Sequence, residues 1–185
     1  MANIILVSAP SGAGKTSIIK NILNKYQNIV FSVSATTRPK RDGEIEGVDY
    51  FFLTKEDFDK KIKNNEFIEY EKFFDNYYGT LKSFVEDSFA QNKSVLMEID
   101  VNGAQKVKQL YPDALTIFIE PPSRDAVIER LKNRNTETEE KIQKRIERFD
   151  YEMSFKDKYK YVIKNVDLNN AIKEFEEILK QEKII

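Results

Sequence analysis

Short apolar runs alternate along this chain with longer stretches of helical period, a pattern that predicts an α/β fold with a mainly parallel core sheet covered by helices. Strands are expected at Asn3 to Ser8, Phe31 to Ser34, Ser94 to Ile99, Ala114 to Ile119 and Tyr161 to Ile163. Behind the first of them, Ile18, Ile19, Ile22, Leu23 and Tyr26 fall on one helical stripe. Further helices are predicted over Phe84 to Asn92, Asn102 to Tyr111, Ser123 to Asn133 and Asn169 to Lys183. Two stretches break the alternation. Thr36 to Thr80 carries Gly43 and Gly47, many aromatics and a short helical pattern from Lys55 to Asn64, and reads as an inserted, partly β subregion. Arg130 to Arg148 is dense in charge of both signs and poor in large apolar residues, which suits a mobile helical flap better than a packed layer. Thr136 and Glu139 have capping-box spacing for its helix.

With 185 residues, 41% of them hydrophobic, the chain can bury one sizeable core, so a single domain is expected. Cysteine and histidine are both absent, which excludes disulfides, thiolate or imidazole metal sites, and Cys or Ser-His-Asp nucleophiles. Chemistry must run on Lys, Arg, carboxylates and backbone. The formal charge is −1, so no nucleic-acid or membrane partner is expected, and any anion site must be local. Charge is nonetheless uneven: Met1 to Arg41 holds six basic residues and no acidic one. The apolar run Ile4 to Val7 lacks the flank and length of a secretion signal, so a cytoplasmic location is the default.

The first strand runs directly into Ala9-Pro10-Ser11-Gly12-Ala13-Gly14-Lys15-Thr16-Ser17, where the helical stripe begins. Strand, small-residue loop and helix come in the order of a phosphate-binding loop. Such a loop turns backbone N–H groups inward, and the helix adds the positive end of its dipole. Lys15 would reach the β- and γ-phosphates of a nucleotide, and the Thr16 hydroxyl would sit on Mg²⁺. Ala9 stands where the motif G-x-x-x-x-G-K-[ST] has its first glycine. A surface turn is the bland alternative, but it requires neither the strand before nor the amphipathic helix after.

Further along stand Ser32-Val33-Ser34-Ala35-Thr36-Thr37-Arg38-Pro39-Lys40-Arg41, Gly43-Glu44, Gly47-Val48-Asp49-Tyr50, Phe67-Ile68-Glu69-Tyr70, Tyr77-Tyr78-Gly79-Thr80, Glu98-Ile99-Asp100, Arg130 through Glu140, and Asn165. Together with the phosphate loop they resemble guanylate kinase over nearly the whole chain. The resemblance implies a three-layer P-loop fold: a core of 1–35, 81–129 and 149–185, a GMP-binding subregion at 36–80 and a helical lid at 130–148. It implies transfer of the ATP γ-phosphoryl group to GMP, with dGMP as a further acceptor and Mg²⁺ as cofactor.

On the same resemblance Arg38 and Arg41 grip the GMP phosphate, helped by the hydroxyls of Tyr50 and Tyr78. Glu69 selects guanine, with Ser34, Gly79, Thr80 and Glu98 around the base. Asp100 organises Mg²⁺ through water, holds an active-site arginine, or caps the next helix, and these roles are compatible. Arg130 and Arg134, four apart, and Arg145 would converge on the transferring phosphoryl group when the flap folds over. Asn165 resembles an adenine contact. Without the resemblance, the tyrosines read as packing residues, Glu69 as an outward strand residue and the lid arginines as surface ion pairs. A rival of another class is a catalytically inactive guanylate-kinase-like module that binds partner proteins; a third is a kinase for a different nucleoside monophosphate. The intact Gly14-Lys15-Thr16 opposes the former, and Glu69 with Ser34 the latter.

Overall fold

The computed structural model describes residues 2–10, 12–73, 75–125, 127–128 and 139–185. Five strands build one wholly parallel sheet in the order β2-β7-β1-β8-β9. These are β1 (Ile4–Ser8), β2 (Ile29–Phe31), β7 (Ser94–Glu98), β8 (Leu115–Glu120) and β9 (Tyr161–Lys164). β1 lies at the centre and is buried along its length, which explains its unbroken apolar run: a strand covered on both faces has no reason to alternate. Its alternate side chains serve different layers. Ile5 and Val7 join a cluster with Ile18, Ile22, Phe175 and Leu179, from helices α1 (Lys15–Lys25) and α6 (Leu168–Gln181). Ile4 and Leu6 face the opposite cluster, with Val85 and Val107 from α3 (Lys82–Ala90) and α4 (Val101–Leu110).

α6 illustrates how local and tertiary signals agree. Asp167 caps it by accepting from the N–H of Asn170 at 2.9 Å, and Ala171, Phe175, Ile178 and Leu179 make its buried face. Phe175 is fully buried, so Phe175→Ala would cost about 3–5 kcal/mol.

A second, four-stranded sheet runs β4-β3-β6-β5, from β3 (Ala35–Thr36), β4 (Phe51–Phe52), β5 (Phe67–Phe73) and β6 (Asn76–Leu81). The β3–β4 pairing is parallel and the other two antiparallel. α2 (Lys55–Lys63), capped by Thr54, seals it: Phe58 is fully buried, with ring centroids 4.4 Å from Phe67 and 5.5 Å from Tyr77.

The strand expected at Phe31 to Ser34 is divided in the structure. β2 ends at Phe31, the Ser32 N–H still reaches the Leu96 carbonyl at 2.8 Å, and the Ser34 carbonyl already accepts from Phe51 in the other sheet. The chain changes sheets here, which an apolar pattern alone does not reveal. α3 begins at Lys82, two residues before the expected Phe84, because β6 passes into it through Leu81, which offers no capping side chain. Helical backbone is present at Arg124, Asp125, Val127 and Ile128; the rest of the helix expected to Asn133, and Thr136 of the capping box, lie outside the described residues. α5 (Glu139–Met153) continues beyond Arg148, where the flap was expected to end, since Phe149 is buried against Val127 and Met153. Among the described residues no helix is long and apolar enough to cross a membrane.

Candidate active site

The phosphate-type loop leaves the carboxyl end of β1, with β7 on one side and β8 on the other, where open parallel sheets gather ligands. Its shape depends on two left-handed residues, Gly12 (φ +82°) and Gly14 (φ +87°), a backbone region that suits glycine. The Ala13 N–H donates to the Pro10 carbonyl at 3.2 Å, and the Gly14 carbonyl accepts from Ser17 at 3.2 Å and Ile18 at 3.4 Å as α1 begins. No acidic residue lies in the first turn of α1, so its positive end is not neutralised locally. Lys15 opens that helix, and Thr16 and Ser17 follow on its exposed side.

Register explains what meets Lys15. Val7 pairs with Glu98, so the end of β7 stands beside the start of the loop, and Glu98 Oε1 lies 3.3 Å from Lys15 Nζ. Two residues on, Asp100 caps α4: its Oδ1 accepts from the N–H groups of Asn102 at 2.8 Å and Gly103 at 3.0 Å. The capping alternative is therefore the observed one, and Oδ2 is not used in it. Asn165, just past β9, is 8% exposed, and its side-chain Nδ2 donates to the Ala13 carbonyl at 2.7 Å.

The other sheet carries a second cluster. Arg38 Nη2 pairs with Glu44 Oε1 at 2.6 Å, and its guanidinium lies 5.3 Å from the Tyr50 ring centroid and 5.8 Å from that of Phe52. The other Glu44 oxygen accepts from the Arg41 N–H at 2.8 Å, leaving the exposed Arg41 side chain outside that hydrogen bond. The Arg38 and Arg41 contacts hold the Glu44 carboxyl below its ordinary range. Tyr50 and Tyr78 meet edge-on at 6.0 Å, and burial pushes the Tyr50 hydroxyl up. Ser34 is half-buried at the start of this sheet.

Glu69 stands on β5 where the pairing with β6 shifts register. The buried Thr80 donates its hydroxyl to Glu69 Oε1 at 2.8 Å. Burial pushes the Glu69 carboxyl up to about 7, with the Thr80 hydrogen bond opposing and the Asp100 charge adding to the rise. Gly79 makes this corner possible: a Cβ there would come within 3.0 Å of the Glu69 carbonyl oxygen and 2.9 Å of the Phe67 ring. Gly103 backs it from α4, since a Cβ would lie 3.4 Å from Glu69 Oε2 and 2.7 Å from Ile99 Cγ1.

Ser11, Arg130 and Arg134 lie outside the described residues, as does the side chain of Arg145 on α5. The sequence reading did not single out Glu152. It is 8% exposed, accepts from Arg148 at 2.8 Å, and its carboxyl is raised by burial with Lys15 and Asp100 in electrostatic reach. Its spacing of four from Arg148 was the available signal. Beside it the Tyr151 hydroxyl donates to Asn102 Oδ1 at 2.7 Å, tying α5 to α4. Nor did the sequence pair Arg38 with Glu44 or Lys15 with Glu98.

The chain carrying these residues is similar to known proteins over nearly its whole length. The guanylate kinase family model matches residues 1–182. A guanylate kinase of Chlorobium luteolum is 45% identical over 173 residues, covering 93% of this chain and 88% of that protein. One from Thermotoga maritima is 42% identical over 180 residues, 97% of this chain and 87% of the relative. The crystal structure of guanylate kinase from Anaplasma phagocytophilum superposes with a TM-score of 0.75 at 33% identity, covering 100% of this chain and 87% of that one. The chain belongs to the guanylate kinase family of nucleoside monophosphate kinases.

Proposed function

We propose that this protein transfers the γ-phosphoryl group of ATP to GMP, giving ADP and GDP. The observation that carries the reading is the half-buried Glu69, already aligned by the Thr80 hydroxyl, on a different sheet from the Lys15 loop. A carboxylate accepts from guanine N1–H and its exocyclic amino group together. Adenine presents a lone pair at N1 and only hydrogen at C2, where guanine has its amino group, so it would leave the carboxylate facing an acceptor. Ser34, Gly79 and Glu98 complete the surroundings of the base, and dGMP shares every group these residues read.

Arg38, Arg41, Tyr50 and Tyr78 grip the GMP phosphate, where planar forks suit bidentate contacts to oxygen. The residues from Ala9 to Ser17 wrap the ATP phosphates. In the transfer a GMP phosphate oxygen forms the new bond to the γ-phosphorus as the bond to the β–γ bridging oxygen breaks. That oxygen is already anionic, so no general base is needed, and positioning carries most of the catalysis. Lys15, with Arg130, Arg134 and Arg145 of the lid at 130–148, offsets charge on the group in flight. In this division 1–35, 81–129 and 149–185 form the core and 36–80 the GMP-binding subregion.

Among the described residues no group of three or more carboxylates is assembled for a cation. That fits Mg²⁺ bound largely by phosphates and water, which takes only one or two protein oxygens. Thr16, exposed on the first turn of α1, and Asp100, with Oδ2 outside the cap, are the residues that would hold it. When bound it would supply positive charge that offsets that of the phosphates.

A coupled assay offering ATP with GMP, AMP, UMP or dTMP in turn tests the proposal. Turnover with GMP far above the others is expected. Turnover with none would favour a protein-binding module on the same fold, and preference for another base would mean that Glu69 does not select guanine.

A further inference from the structure

Asn165, expected as an adenine contact, also reaches the phosphate loop. It follows β9, where its backbone N–H is fixed by the Glu120 carbonyl at 2.8 Å. From there its buried side chain runs back under the phosphate loop, and Nδ2 donates to the Ala13 carbonyl at 2.7 Å across 152 residues of sequence. The approach is so close that a Cβ on Gly14 would overlap Nδ2 of Asn165. The left-handed backbone of Gly14 and the room Asn165 occupies thus exclude a side chain there independently.

The bonded carbonyl belongs to the peptide that also carries the Gly14 N–H. Among the described residues no peptide bond is cis, so that peptide is trans, and its C=O and N–H point in opposite directions. Holding the carbonyl toward Asn165 therefore turns the Gly14 N–H the other way. That N–H has no acceptor among the described residues, and it sits directly before the free positive end of α1. Without a partner on the carbonyl, a peptide flanked by glycine could rotate at little cost and present oxygen, not N–H, to a phosphate.

We infer that Asn165 is a positioning residue for the phosphate loop: its amide holds the Ala13 carbonyl outward and so aims the Gly14 N–H at the bound phosphates. The inference rests on the loop being the ATP site. This role is separate from a contact with adenine, because it uses one Nδ2 hydrogen on the loop carbonyl and leaves the second hydrogen and Oδ1 outside that bond.

Inorganic tripolyphosphate, which has no base, separates the two roles. Titrations of wild type and Asn165→Asp with ATP, tripolyphosphate and GMP are compared, together with the Gly14 amide resonance before and after tripolyphosphate. Aspartate keeps the shape but sets oxygen against oxygen. ATP and tripolyphosphate should weaken by the same factor, about tenfold or more, with GMP changed less than about twofold. The shift of the Gly14 amide on adding tripolyphosphate should shrink. If ATP weakens and tripolyphosphate does not, the side chain acts on the base and the inference is overturned. Equal loss for all three ligands, or no loss, also overturns it. A wild type that binds GMP but neither polyphosphate would instead remove the ATP-site reading beneath it. Should Asn165→Asp not fold, Asn165→Ser, which is uncharged and too short to reach Ala13, gives the same comparison.

Discussion

Lys15 and Glu98 face each other across 3.3 Å, the lysine opening α1 and the glutamate closing β7. Both side chains are partly shielded, at 17% and 33% exposure, so the pair is neither a free surface bridge nor a buried one. A phosphate approaching Lys15 competes with this carboxylate. Removing the competitor by Glu98→Gln should tighten ATP binding by about twofold to fivefold at low salt. Calorimetric titration checks this; unaltered affinity would mean that the pair imposes no cost on the ligand.

Lys15→Ala should lower kcat by about a hundredfold or more while leaving the thermal melt close to wild type, since the ammonium acts on charge that develops in transfer. Steady-state rates beside a melting curve decide it. An unchanged kcat would remove Lys15 from the chemistry.

The Glu69 carboxyl titrates at about 7 against an ordinary 4.5. The folded protein keeps a proton there that the unfolded chain has lost, so stability falls as pH rises from about 4.5 to about 7, then levels off. Glu69→Gln escapes this fall and should be more stable than wild type at pH 8, by about 1–3 kcal/mol, in denaturant titrations without nucleotide. GMP binding runs the other way. It needs the carboxylate, so wild-type affinity should rise through about pH 7 relative to the glutamine variant, whose own profile cancels the titration of GMP itself. Parallel profiles would show that Glu69 does not read the base.

Gly79→Ala forces a methyl group against the Glu69 carbonyl and the Phe67 ring. We expect a loss of about 1–3 kcal/mol in stability and a weaker GMP complex with ATP affinity kept. ATP weakened equally would show that the two sites are not separable.

Arg38→Lys keeps the charge and loses the fork. The GMP KM should rise about tenfold with the ATP KM unchanged, as initial rates against each substrate would report. An unchanged GMP KM would place the phosphate elsewhere.

The parallel sheet was legible because strands buried on both faces write themselves as apolar runs: Ile4 to Val7, Val95 to Met97 and Leu115 to Ile119 all lie in β1, β7 and β8. Gly14-Lys15-Thr16 was legible because the loop is local. The second sheet was harder, since β3 and β4 have two residues each and take their register from partners far along the chain. Pairings across the fold left no mark at all. Nothing in sequence puts Glu98 beside Lys15 or Asn165 behind Ala13, because each depends on which strands become neighbours, and the Arg38–Glu44 pair, only six residues apart, depends on how the loop between β3 and β4 turns. Asp100 was read in several ways at once, and only the direction of its Oδ1 toward the α4 N–H groups separates the cap from the rest.

The chain enters the four-stranded sheet through Ser32–Ser34 and leaves it at the junction of Leu81 with Lys82. The β3–β6 register, with Ala35 opposite Gly79, sets these two passages side by side. Two short straps lying abreast define a line and not a point. As covalent links they resist a twist of one sheet over the other more than a fold about that line, and the remaining hold between the sheets is left to side chains, Ile68 in the cluster with Met97 and Val101 and the Lys106–Glu71 pair.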